Sequence, residues 1–74
     1  MGGGRQESMK VTLNGMSIDL RSNCTVAGLV ADRDLNPRQI AVEVNQELVR
    51  REEYLQVQLV DGDIVELVSL AGGG

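Results

Sequence analysis

From Met9 onward the chain alternates, with Met9, Val11 and Leu13 on one side and Lys10 and Thr12 on the other, the period-two signature of a strand with one buried face. Asn14-Gly15 follows, and both residues tolerate the positive φ that a two-residue hairpin turn demands. Met16, Ile18 and Leu20 then alternate with Ser17 and Asp19, so the chain opens on a β-hairpin. Past a short polar link over 21–24 the period changes. Thr25 is placed to cap a helix, and Val26, Leu29 and Val30 fall at i, i+3 and i+4, an apolar stripe able to lie on the hairpin. Gly28 inside that helix costs about 1 kcal/mol relative to alanine, which points to close packing or simple tolerance. Asn36-Pro37 is expected to stop the helix, because the residue before proline is pushed out of the α region.

Ile40, Val42 and Val44 mark a third strand, Asn45-Gln46 turns it, and Leu48-Val49 forms a short antiparallel return. Residues 50–54 carry a polar run that reads as a turn or a single helical turn. Asp61-Gly62-Asp63 signals a tight turn before Ile64-Val65-Glu66-Leu67-Val68, the last strand. Being apolar on both faces, that strand is expected in the middle of a sheet. The order is β-β-α-β-β-β. Residues 1–8, polar and glycine-rich, read as a flexible leader; residues 9–70 as one domain; residues 71–74 as a flexible glycine tail.

Seventy-four residues leave room for one small core. Tyr54 is the only aromatic residue, so that core must be built from Val, Leu, Ile and Met. Cys24 is the only cysteine and histidine is absent, which removes intramolecular disulfides, a usual zinc set and histidine-based acid/base catalysis. Seven basic against eleven acidic residues give a net charge of −4, which disfavours nucleic acid and favours a partner with a basic surface. No apolar run is long enough for a membrane span or a signal peptide, and a cytoplasmic location is expected.

The ordered set of Ala41-Val42-Glu43-Val44-Asn45, Leu48-Val49-Arg50-Arg51, Asp61-Gly62-Asp63-Ile64-Val65-Glu66-Leu67-Val68 and the terminal glycines resembles the sulfur-carrier proteins of thiamine biosynthesis, the ThiS type. Asn14-Gly15 and the Thr25-Val26 helix start fit the same family. The resemblance implies an α+β, ubiquitin-like β-grasp fold, a mixed sheet of four to five strands with one helix packed on it. It also implies a carrier without catalysis of its own. A ThiF-like adenylating enzyme would use ATP to convert the Gly74 carboxylate into an acyl-adenylate, a sulfur donor protein would supply the sulfur, and the thiocarboxylate would pass to a thiazole synthase. The carrier itself would bind no cofactor. Gly72 and Gly73 would form the part of the tail that threads the partner's channel, since a residue without Cβ is the slimmest the chain has. Three glycines stand where two would define the family, and Ser69-Leu70-Ala71 lacks the arginines that precede the glycines of ubiquitin, which argues against protein conjugation.

Ile64, Val68 and Leu70 share the face of Glu66 and form a candidate docking patch beside the tail, with Ala41 and Glu43 alongside; scattered surface apolar residues are the plainer alternative. Cys24 reads first as a small buried hydrophobe, Asp61 and Asp63 as turn formers instead of metal ligands, and Arg50-Arg51-Glu52-Glu53 as a solvated charge cluster. Two other readings stay open. One is a carrier of the same fold serving molybdopterin synthesis or tRNA thiolation; the other is a non-covalent β-grasp binding module, which needs no free glycine terminus.

Overall fold

The computed structural model describes residues 7–70; the glycine tail and the first six residues of the expected leader lie outside them. Five strands form one mixed sheet. The first hairpin joins β1 (Ser8–Leu13) to β2 (Met16–Arg21). A single helix, α1 (Val26–Asp32), follows, and β3 (Ile40–Val44) and β4 (Glu47–Val49) make a second hairpin. The last strand, β5 (Ile64–Ser69), enters the middle, giving the order β2-β1-β5-β3-β4. It runs parallel to β1 and antiparallel to β3.

Both hairpins turn through two consecutive residues of positive φ, Asn14 and Gly15 at 49° and 85°, Asn45 and Gln46 at 52° and 71°. The first hairpin starts one residue earlier than the alternation suggests. Ser8 pairs with Arg21, and the Ser22 N–H donates to the Glu7 carbonyl, because backbone pairing does not require the side-chain pattern to continue.

Every N–H of the first helical turn has an acceptor. Val26 donates to the Val57 carbonyl and Ala27 to that of Tyr54, both at 2.9 Å; Gly28 donates to Thr25 Oγ1 at 3.0 Å, and Leu29 to the Thr25 carbonyl. The 54–63 connection is thereby stitched to the helix start, helped by a Thr25–Gln58 bridge. The helix ends at Asp32, before the proline expected to stop it. Asp34 adopts φ 62°, and Leu35 N–H reaches back to the Val30 carbonyl while Asp34 N–H reaches that of Ala31, a Schellman-type closure. Asn36 instead caps the short 3₁₀ turn Pro37–Gln39 through its side chain.

The helix covers one face of the sheet. Val26, Leu29 and Val30 meet Met9, Val11, Leu13, Ile40, Val42 and Val65, and the connection adds Leu59 and Tyr54. The central position expected for β5 holds, but its two faces differ. Val65 is fully buried and Leu67 partly, whereas Ile64 and Val68 are about half exposed, because no element among the described residues covers the sheet's other side. Centrality here comes from pairing on both edges and not from burial on both faces.

With so small a core, truncation should be costly. Val42→Ala and Val65→Ala should each lower stability by about 1 to 3 kcal/mol, and Leu67→Ala by less than a fully buried leucine would, since Leu67 is only partly covered. Urea midpoints check this; unchanged midpoints for the two valines would mean that the faces are misassigned.

Candidate functional site

The feature that governs the C-terminal end is how β5 is held. At its start, Asn45 donates its N–H to the Ile64 carbonyl at 2.7 Å, and its Oδ1 accepts from the Ile64 N–H at 3.0 Å. At its far end, Asn14 donates its N–H to the Val65 carbonyl, while its carboxamide takes both backbone groups of Leu67: Oδ1 accepts from the N–H at 2.8 Å and Nδ2 donates to the carbonyl at 3.3 Å. Both asparagines sit at positive-φ turn positions. The same residue type that allows the tight turns also reaches across to the central strand. On the β3 edge the hold continues to the last described residue, where Leu70 N–H donates to the Gln39 carbonyl at 2.8 Å.

The Asp61-Gly62-Asp63 turn anchors the strand's entry. Asp63 is buried, accepting from the Asn45 side chain at 2.9 Å and from the Val60 N–H at 2.8 Å. Asp61 accepts from the Lys10 N–H at 2.8 Å, and Gly62, at φ 91°, donates its own N–H to the Lys10 carbonyl. Both carboxylates are therefore occupied in shaping the turn. Among the described residues no group of three or more acidic, cysteine or histidine side chains is arranged for a metal ion.

The uncovered sheet face carries the expected patch, in a more divided form. Ile64, Val68 and Leu70 are 52%, 48% and 52% exposed. Val68 lies opposite Ala41, while Glu66 lies opposite Glu43, so a carboxylate pair separates Ile64 from Val68. Neither glutamate has an ion-pair partner among the described residues, and like charges placed opposite one another repel. Leu48, 65% exposed, stands opposite Glu43 on β4 and belongs to the same face. The sequence reading did not place it there. The two-residue turn at Asn45-Gln46 carried the information, since it pairs Glu47 with Val44 and hence Leu48 with Glu43.

Of the remaining candidates, Cys24 is half-buried with its Sγ against the Thr25 carbonyl at 3.4 Å. Burial pushes its thiol pKa up, Asp32 adds to the shift, and Arg21 opposes it, so the group is the reverse of an activated nucleophile. Arg50 pairs with Glu52 at 3.0 Å in a fully solvated position, in keeping with a surface charge cluster. Gly72, Gly73 and Gly74 lie outside the described residues.

The ThiS family profile matches residues 7–74, nearly the whole chain. The chain belongs to the ThiS family. The sulfur carrier protein ThiS of Bacillus subtilis is 35% identical over 63 residues, covering 84% of this chain and 96% of that one. A thiazole synthase of Paramagnetospirillum magneticum is 38% identical over 66 residues, but the match takes up 89% of this chain and only 20% of the synthase, and a thiazole synthase of Magnetococcus marinus matches in the same proportion. Among solved structures, the thiamine biosynthesis protein ThiS of Geobacter metallireducens superposes with a TM-score of 0.78 at 29% identity, over 89% of this chain and all of that one. A ubiquitin of Caldiarchaeum subterraneum, at 21% identity and a TM-score of 0.54, over 95% of this chain and all of that one, shares the fold. The ThiS-family chain thus has the ubiquitin-like β-grasp architecture that its hairpin, helix and central last strand imply.

The turn role of Asp63 can be tested against the cation alternative. Asp63→Ala should cost about 1 to 3 kcal/mol, because the Val60 N–H loses its acceptor, and the more exposed Asp61→Ala should cost less. Millimolar calcium should leave the thermal midpoint of the parent unmoved; a rise with calcium would identify a cation site instead.

Proposed function

We propose that this ThiS-family chain is a sulfur carrier of thiamine biosynthesis whose reactive group is the carboxylate of Gly74. The observation that carries the reading is the family match, which runs from Glu7 through the terminal glycines and so includes the tail as well as the fold. β5 gives the tail a fixed origin at Leu70, paired on the β3 side to the end of the described chain.

A carboxylate is a poor acyl donor. In the proposed sequence a Gly74 oxygen attacks the α-phosphorus of ATP in the active site of a ThiF-like adenylating enzyme, pyrophosphate leaves, and an acyl-adenylate forms. A sulfur nucleophile at the sulfide level, delivered by a sulfur donor protein, attacks the acyl carbon; AMP leaves, and the thiocarboxylate remains. That thiocarboxylate then gives its sulfur to a thiazole synthase. The chain's similarity to a segment making up 20% of two thiazole synthases supports a carrier and a synthase working together. All catalytic groups belong to the partners, and ATP is the activating enzyme's substrate, not a cofactor of the carrier. We place the reaction in the cytoplasm, with no role for nucleic acid or membrane; no helix among the described residues is long and apolar enough to cross a bilayer.

Gly72 and Gly73 serve as the slender approach to the nucleotide, where a side chain would add bulk. Val68 and Leu70, with Ile64 further along the strand, supply apolar contact to the activating enzyme. The unpaired Glu43–Glu66 carboxylates would take basic groups from that partner and be relieved of their mutual repulsion.

Two sets of variants test this. Deleting Gly73-Gly74, replacing Gly73 by Val, or adding a residue after Gly74 should each abolish ATP–pyrophosphate exchange with the adenylating enzyme while the domain stays folded. Full activation of the truncated and extended forms would overturn the carrier reading in favour of a non-covalent binding module. Separately, Val68→Asp or Leu70→Asp should weaken binding to that enzyme by about tenfold or more in calorimetric titration, since a charge would have to be desolvated on docking. Equal affinities would remove the patch as an anchor.

A further inference from the structure

We infer that Asn14, on the first hairpin turn, is a positioning residue for the chain end: its carboxamide clamps β5 at Leu67, and so fixes the course of the strand toward Leu70, the origin of the tail. The inference deepens the carrier reading and rests on it for its functional half. The geometric half stands alone.

The parallel ladder between β1 and β5 covers only Thr12–Ile64 and Leu13–Val65 before β1 turns away at Asn14-Gly15. Without a substitute, the edge of β5 facing β1 would lose its partner at Leu67, three residues short of Leu70. The Asn14 side chain supplies that substitute. A carboxamide presents an acceptor and a donor side by side, as a strand's backbone does, and here both are used on one residue, the Leu67 N–H at 2.8 Å and the Leu67 carbonyl at 3.3 Å. These contacts join residues 53 positions apart, which local turn chemistry does not require. An Asn at φ 49° would make an adequate hairpin without them. On the other edge Val42 pairs with Leu67, Ser69 with Ile40, and Leu70 N–H meets the Gln39 carbonyl, so Asn14 carries the two-sided hold on β5 as far as Leu67 and the β3 edge continues it to Leu70. A tail that must deliver one carboxylate to one phosphorus gains from a fixed origin, because misplacement by about 1 Å can cost on the order of 100-fold in rate.

Asn14→Gly is the informative variant. Glycine accepts the positive φ, so the turn survives and only the carboxamide is removed. Asn45→Gly is its control: it deletes two carboxamide bonds at the opposite end of the same strand, to the Ile64 N–H and to Asp63. The first measurement is amide hydrogen exchange well below the melting temperature. Leu67 should exchange about tenfold faster or more in Asn14→Gly, on losing its acceptor. The second is ATP–pyrophosphate exchange with the adenylating enzyme as the carrier concentration is varied. Asn14→Gly should lower kcat by about three- to tenfold and leave the half-saturating concentration unchanged, since the docking residues remain. Asn45→Gly should shift the thermal midpoint at least as much, yet keep kcat within about twofold of the parent.

Unchanged exchange at Leu67 in Asn14→Gly would overturn the clamp. An equal loss of kcat in Asn45→Gly would overturn positioning and reduce both asparagines to general stability. If the parent chain itself supported no pyrophosphate exchange, the carrier reading would fail, and with it the catalytic half of this inference; the Leu67 measurement needs no enzyme and would still decide the clamp.

Discussion

The structure depends on the pairing of β5 along both edges. A strand formed from the last part of the described chain lies between β1 and β3, and removing it would leave two hairpins with no sheet between them. Its inward residues, Val65 and Leu67, meet the helix side of the core, so the pairing and the packing reinforce one another. The strand is also short. Six residues give few ladder bonds, and the asparagines of the two hairpin turns extend the hold at opposite ends, Asn45 at Ile64 and Asn14 at Leu67. Turn residues far apart in sequence thus hold the central strand at Ile64 and at Leu67.

This arrangement explains how a chain with little chemistry of its own can be specific. The one thiol is half-buried with its pKa raised, and the turn carboxylates are committed to backbone N–H groups. What the described residues offer outward is a sheet face without a helix on it. Apolar residues flank a repelling glutamate pair there, next to the point where the glycine tail begins. An isolated monomer would gain by covering that face or by separating those charges. Keeping both supports the docking role proposed for that face.

Much of the architecture was legible in the sequence because it was local. Alternation gave β1, β2 and β3; Asn14-Gly15 and Asn45-Gln46 gave the two turns; Thr25 and the Val26, Leu29, Val30 stripe gave the helix start and its buried face. The helix end was misread because Pro37 is a conspicuous breaker, whereas the closure comes from Asp34, a non-glycine residue at positive φ that composition does not reveal. The exposed side of β5 was legible through Glu66, whose solvent face Ile64 and Val68 share as expected; what gave way was the reason for the strand's central place, which is pairing on both edges and not burial of both faces. Leu48 was missed through the register of a hairpin, and the reach of Asn14 to Leu67 was invisible, since it spans 53 positions and depends on where the strands meet.

The central claim is that sulfur is carried on the terminal carboxyl and on no side chain. The direct test is to incubate the chain with ATP, a ThiF-like adenylating enzyme and sulfide, digest it, and locate the added sulfur by tandem mass spectrometry. The account predicts a single replacement of oxygen by sulfur, confined to the peptide ending in Gly74 and dependent on ATP. Sulfur found on the Cys24 peptide, or an unmodified C-terminal peptide when the enzyme has turned over, would contradict it.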